Sequence, residues 1–141
     1  MEIKRLGPDD VELVLAVPSG VFDDPPTRAA TEHFLGQANH HLFVAFDDDG
    51  TAVGFVSGVE TTHPDKGTEM FLYELSVAEP ARRRGIGKAL VQALADFARS
   101  RDCYGMFVLT DDDNDAALAT YRSTGTKNES AQVMLDWDFR S

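Results

Sequence analysis

The run Arg82-Arg83-Arg84-Gly85-Ile86-Gly87-Lys88 sets four cations around two glycines, directly after an apolar stretch (Phe71 to Val77) and at the head of an amphipathic one. A strand, a short glycine-containing loop and a helix N-terminus make a seat for pyrophosphate. Amides of the first helical turn have no partner within the helix, and the helix dipole favours negative charge there. Glycines let the backbone approach phosphate, and arginines add charge-assisted hydrogen bonds. Two nucleotide loops are excluded by the residues themselves. A dinucleotide fingerprint needs a third glycine at position 90, which is Leu90; a Walker loop needs Gly at 82 and Ser or Thr at 89, which are Arg82 and Ala89. Glu74 is the second chemical signal. It lies mid-strand among Leu72, Tyr73 and Leu75, where an unpaired carboxylate is costly. It must be partnered, protonated or facing a cavity, and in a cavity it can accept a proton. Asn114 and Tyr121 are seven residues apart, two helical turns, and so share one helix face.

The elements that must position these groups are legible from periodicity. A short strand is expected at Ile3–Leu6, a helix from about Asp9 to Val17 and a second from Thr27 to Ala38. Leu42–Phe46 and Ala52–Val59 read as strands joined by the turn Asp47-Asp48-Asp49-Gly50. Glu69–Val77 reads as a central strand, with Met70 and Leu72 on one face and Phe71, Tyr73, Leu75 and Val77 on the other. Gly85 to about Arg101 is the clearest helix, its buried stripe Ile86, Leu90, Leu94 and Phe97. Strand Met106–Leu109, a helix from Asn114 to Ser123 with Asp113 as N-cap, and an alternating final strand Val133–Phe139 complete the chain.

Length and composition bound the rest. At 141 residues the chain is expected to form a single domain over 1–141, with a core of its own. No apolar stretch approaches the roughly 20 residues that span a bilayer, and no signal-like apolar region follows Met1–Arg5. The lone Cys103 excludes an internal disulfide, and a cytoplasmic location is expected. A formal net charge of -11 argues against nucleic acid and anionic membranes as partners and for a cationic substrate. Against that global sign, the arginines cluster where an anionic cofactor would sit. Nothing in the pattern calls for a metal.

Arg82-x-x-Gly85-x-Gly87 after a strand resembles the coenzyme A signature of the GNAT N-acetyltransferase superfamily, and the order β-α-α-β-β-β-α-β-α-β resembles its fold over nearly the whole chain. The resemblance implies an α/β (α+β) architecture: a mixed, mostly antiparallel sheet of six to seven strands with about four helices, splayed between strands 4 and 5. It implies acetyl-CoA as donor and coenzyme A as product. Residues Arg82, Arg83, Arg84, Gly85, Ile86, Gly87 and Lys88 would hold the pyrophosphate, and the backbone of Leu75, Ser76 and Val77 the pantetheine. Asn114, Ala117 and Tyr121 match the family's N-x-x-A-x-x-x-Y helix and would also contact the cofactor. Glu74 would be the base, and Tyr121 the acid that protonates the departing thiolate. The chain departs from the family at Thr126, where Phe usually follows the helix glycine.

Within the superfamily, Arg5-Leu6-Gly7-Pro8-Asp9, the run Tyr73–Val77, Arg82–Ile86 and the ending Val133–Asp138 resemble aminoglycoside 3-N-acetyltransferases of the gentamicin-modifying type. That branch carries Asp where Glu74 stands, and also lacks the Phe. The resemblance implies a cationic aminoglycoside acceptor contacted by Asp23, Glu74, Asp111, Asp112, Asp136 and Asp138, with Asp111 foremost. The alternatives are another amine (a polyamine, a small metabolite or a protein N-terminus) or a non-catalytic acetyl-CoA-binding module. Trp137 and Phe139 on the last strand would either cover a partner in a homodimer or finish the core.

Overall fold

The structure, a computed structural model, describes residues 1–140. Strands β1 (Glu2–Leu6), β2 (His40–Phe46), β3 (Ala52–His63) and β4 (Gly67–Val77) form antiparallel neighbours in chain order, and β5 (Met106–Val108) lies parallel to β4. Helices α1 (Val11–Leu15) and α2 (Arg28–Gly36) cover one face of the sheet; α3 (Ile86–Ser100) covers the other and meets α4 (Asp115–Arg122). Successive side chains of the strands point to opposite, covered faces and divide the core accordingly. Val56, Met70, Leu72, Leu90 and Leu94 fill the α3 side, and Val14, Leu35, Leu42, Val44 and Phe55 the α1–α2 side. Truncating a fully buried leucine such as Leu90 or Leu94 to alanine costs about 2–5 kcal/mol.

The expected mixed sheet and four helices are present, with three corrections. The sheet has five strands among the described residues, because Val133–Phe139 forms none. Its alternation is strand-like, but a strand needs an edge to pair with. Here Val133, Met134, Leu135, Trp137 and Phe139 stand 75–91% exposed, so Trp137 and Phe139 do not finish the core. Both early helices are shorter than expected. The first begins as a 3-10 turn at Pro8–Asp10 and stops at Leu15, three residues before Pro18; the second runs from the N-cap Thr27 only to Gly36. Asn114 and not Asp113 caps α4, its Oδ1 accepting from the Ala117 amide at 3.1 Å.

Candidate active site

A β-bulge aims Glu74. Across β3 and β4, Ser57 faces Glu74 but Gly58 faces Leu72, so Tyr73 is an extra residue. A bulge re-phases every side chain beyond it. Met70 and Leu72 pack toward α3, and so do Leu75 and Val77, which strict alternation had placed on the opposite face. Glu74 consequently turns toward α1 and α2, on the same face as its cross-strand neighbour Ser57.

The splay lies where the resemblance implied. β5 pairs only with Met70, Leu72 and the intervening Phe71; from Tyr73 to Val77, β4 has no strand beside it on that edge. Backbone groups of Leu75 and Ser76 therefore border an open crevice of about 230 Å³, whose walls include Asp23, Glu74, Thr110, Asn114, Ala117 and Tyr121. Such an edge offers hydrogen bonds to an extended chain laid along it.

At the head of α3, Gly85 is the N-cap, in the left-handed region at φ 78°, and no side chain caps the helix. The first helical bond in this turn runs from the Ala89 amide to the Gly85 carbonyl at 3.0 Å, which leaves the preceding amides for an outside acceptor. Arg83 also has a positive φ, 66°, a strained conformation of the kind that collects at ligand-binding loops. The arginines divide their tasks. Arg82 Nε donates to the Val77 carbonyl at 3.0 Å and ties the loop to β4, while Arg84 pairs with Asp47 at 3.1 Å. No such side-chain bond engages Arg83 or Lys88 among the described residues. Donors, cations and an unpaired strand edge in one line fit a pyrophosphate with a pantetheine arm.

Glu74 stands between this crevice and a second cavity of about 200 Å³ under α2, and Phe55 borders both. Partial burial raises the Glu74 carboxyl above the ordinary range, and the negative charge of Asp23 adds to the rise. Across the crevice, burial raises the Tyr121 phenol, which keeps its proton in place. The arrangement thus holds a ready proton acceptor and a retained proton donor in one crevice.

Of the other expected acceptor contacts, Asp111, Asp112, Asp136 and Asp138 are not among its lining residues. Asp111 and Asp112 are exposed on the loop between β5 and α4. Asp136 and Asp138 are exposed on the C-terminal segment, where Asp138 pairs with Arg140 at 2.7 Å. Asp23 alone of these aspartates borders the crevice with Glu74. Sequence reading missed Ser57, Phe22 and Phe34, which line the second cavity. Ser57 interrupts the apolar β3 run as the one polar residue between Phe55 and Gly58, and that was the available signal. No metal-binding cluster occurs among the described residues.

Residues 11–125 match the acetyltransferase (GNAT) family. The chain is 38% identical over 105 residues to the N-alpha-acetyltransferase RimI of Mycobacterium tuberculosis (strain ATCC 25618 / H37Rv), covering 74% of this chain and 63% of that protein. It is 29% identical over 118 residues to the streptothricin acetyltransferase of Streptomyces lavendulae, covering 84% of this chain and 59% of that one. The chain thus spans less than two thirds of either relative. Among solved structures, an aminoglycoside acetyltransferase, meta-AAC0020, from an uncultured soil metagenomic sample in complex with sisomicin superimposes with a TM-score of 0.82 at 25% identity, covering 99% of this chain and 96% of that one. With more than half its length matched and the crevice in place, the chain belongs to the GNAT family of acetyltransferases, which take their acetyl group from acetyl-CoA.

Proposed function

We propose that this chain transfers an acetyl group directly from acetyl-CoA to a primary amine, with Glu74 as base and Tyr121 as acid. The observation that carries the reading is the bulge at Tyr73, which turns a carboxyl of raised pKa into the crevice that Tyr121 also borders. An amine must lose its proton to attack a thioester. Glu74 takes that proton, and a carboxyl with a raised pKa is better matched to the task than an ordinary one. The amides along Leu75–Val77 face developing negative charge. The phenol of Tyr121 supplies the proton for the departing sulfur. The amides around Gly85–Lys88, with Arg83 and Lys88, hold the diphosphate; Asn114 and Ala117 border the arm.

The acceptor is a cation in solution, a reading supported by Asp23 beside Glu74 and by the net charge of -11. Asp111 and Asp112 lie exposed between Thr110 and Asn114, which border the crevice, so they can meet a second cationic group of a longer acceptor. The likeness to the sisomicin-bound enzyme favours a second reading, an aminoglycoside amine, with the ring nitrogen left open. Thiol release from acetyl-CoA, followed with glycinamide, a short peptide, spermidine, sisomicin and gentamicin as acceptors, tests both. Turnover with an α-amine supports the first reading and turnover with sisomicin or gentamicin alone the second; none with any amine removes the catalytic role.

A further inference from the structure

The cavity under α2 is apolar where a polycation would need polar walls. Phe22, Phe34, Leu35, Leu42 and Phe55 line it, and Ala30 of α2 lies exposed at its edge. This pocket of about 200 Å³ is open to solvent on one side, and its apolar walls are better covered by an apolar group than by water. Four polar residues are among its lining, Thr27, Thr31, Ser57 and Glu74, and Glu74 is the one carboxylate among them. Ser57 is 3% exposed and its Oγ is sealed from solvent, so it belongs to the packed floor of the cavity.

We infer that the chain selects primary amines whose amine-bearing carbon carries a large apolar arm: the arm fills the cavity under α2 while the nitrogen sits at Glu74, which borders both cavity and crevice. The inference rests on the catalytic reading above and deepens it. The amine donates a hydrogen bond to the Glu74 carboxylate, which takes its proton and frees the nitrogen lone pair for attack on the thioester. The cavity is smaller than the roughly 300–1,000 Å³ that holds a whole drug-sized ligand, so it takes one side-chain-sized group. The amine can come from a free small molecule or from a polypeptide N-terminus, since both present the same nitrogen and arm.

The test compares acceptors of matched amine chemistry: glycinamide, leucinamide and phenylalaninamide, with tripeptides beginning in Gly, Leu and Phe as the second arm. Expected is a kcat/KM at least about 100-fold higher for the Leu and Phe acceptors than for the Gly ones, the discrimination that an apolar pocket reaches with several carbons. Preference for the tripeptides over the amides assigns the polypeptide source, and the reverse the free amine. Ala30→Phe, at an exposed helix position, narrows the cavity mouth and is expected to cut the Phe-to-Gly ratio at least tenfold. Equal rates for Gly and Phe acceptors, with turnover dependent on Glu74, overturn the inference and leave the catalytic reading intact. Acetyl-CoA binding without acetylation of any amine overturns both.

Discussion

The two halves of the proposed site are built on different principles. The half proposed for the donor is backbone: unbonded amides at the head of α3, the free edge of β4 beyond Tyr73, and a left-handed Gly85. The half proposed for the acceptor is side chains: Glu74, Asp23 and the phenyl rings under α2. Backbone recognition suits a constant ligand, since every residue supplies the same amide and only glycine placement matters. Side-chain recognition suits a variable one, because each wall can change without altering the fold. Glu74 belongs to both halves, which is why the bulge that aims it matters more than any single wall.

The largest expected effect falls on that shared residue. Glu74→Gln keeps the shape and removes the base, so kcat/KM is expected to drop at least about 100-fold while calorimetric titration with coenzyme A is unchanged. The same variant is expected to be at least as stable as the parent at neutral pH. A carboxyl whose pKa is raised on folding binds its proton more tightly in the folded state. It therefore costs stability once pH exceeds its folded value, and the amide escapes that cost. A Tm lower than the parent's would contradict partial burial as the cause of the raised pKa. Tyr121→Phe comes next, with kcat lowered about 10–100-fold and KM for acetyl-CoA held, measured by thiol release. Unchanged kcat would remove the phenol from proton transfer.

A smaller effect sharpens the donor half. A Cβ at Gly87 would lie 3.6 Å from Thr120 and 3.7 Å from Val77, ordinary contacts. Gly87→Ala is therefore expected to stabilise the fold by about 0.5–1 kcal/mol, the gain of alanine over glycine inside a helix. It is also expected to weaken coenzyme A binding several-fold, because the methyl meets a ligand that approaches the backbone. Stability and affinity moving in opposite directions is the signature; affinity rising with Tm would show that nothing approaches there. The smallest effect lies outside both halves. Trp137 is 78% exposed, so Trp137→Ala is expected to shift unfolding free energy by less than about 0.5 kcal/mol. A larger loss in denaturant unfolding would mean that the segment is buried in solution.

How much of this was legible in the sequence follows the same division. The acetyl-CoA cofactor was legible because its signal is local: glycines and arginines at fixed spacing between a strand and a helix. The acceptor half was only partly legible, because it depends on register. Nothing in Tyr73-Glu74-Leu75 announces that Tyr73 is an extra residue, and a slip of one position exchanges the faces of everything after it. Asp111, Asp112, Asp136 and Asp138 were chosen for charge and proximity in sequence, and charge alone carries no direction. Val133–Phe139 reads as a strand because alternation is a local property, whereas having an edge to pair with is not.

The central claim is that the carboxyl turned to the α1–α2 face by the Tyr73 bulge is the base. The direct measurement is the pH dependence of kcat/KM for the parent and Glu74→Gln, side by side with one amine acceptor. The account predicts an acidic limb for the parent that reports a carboxyl titrating above the ordinary glutamate value of about 4.3, and its absence from the residual activity of the variant. An acidic limb that persists unchanged in Glu74→Gln, at comparable rates, would contradict it.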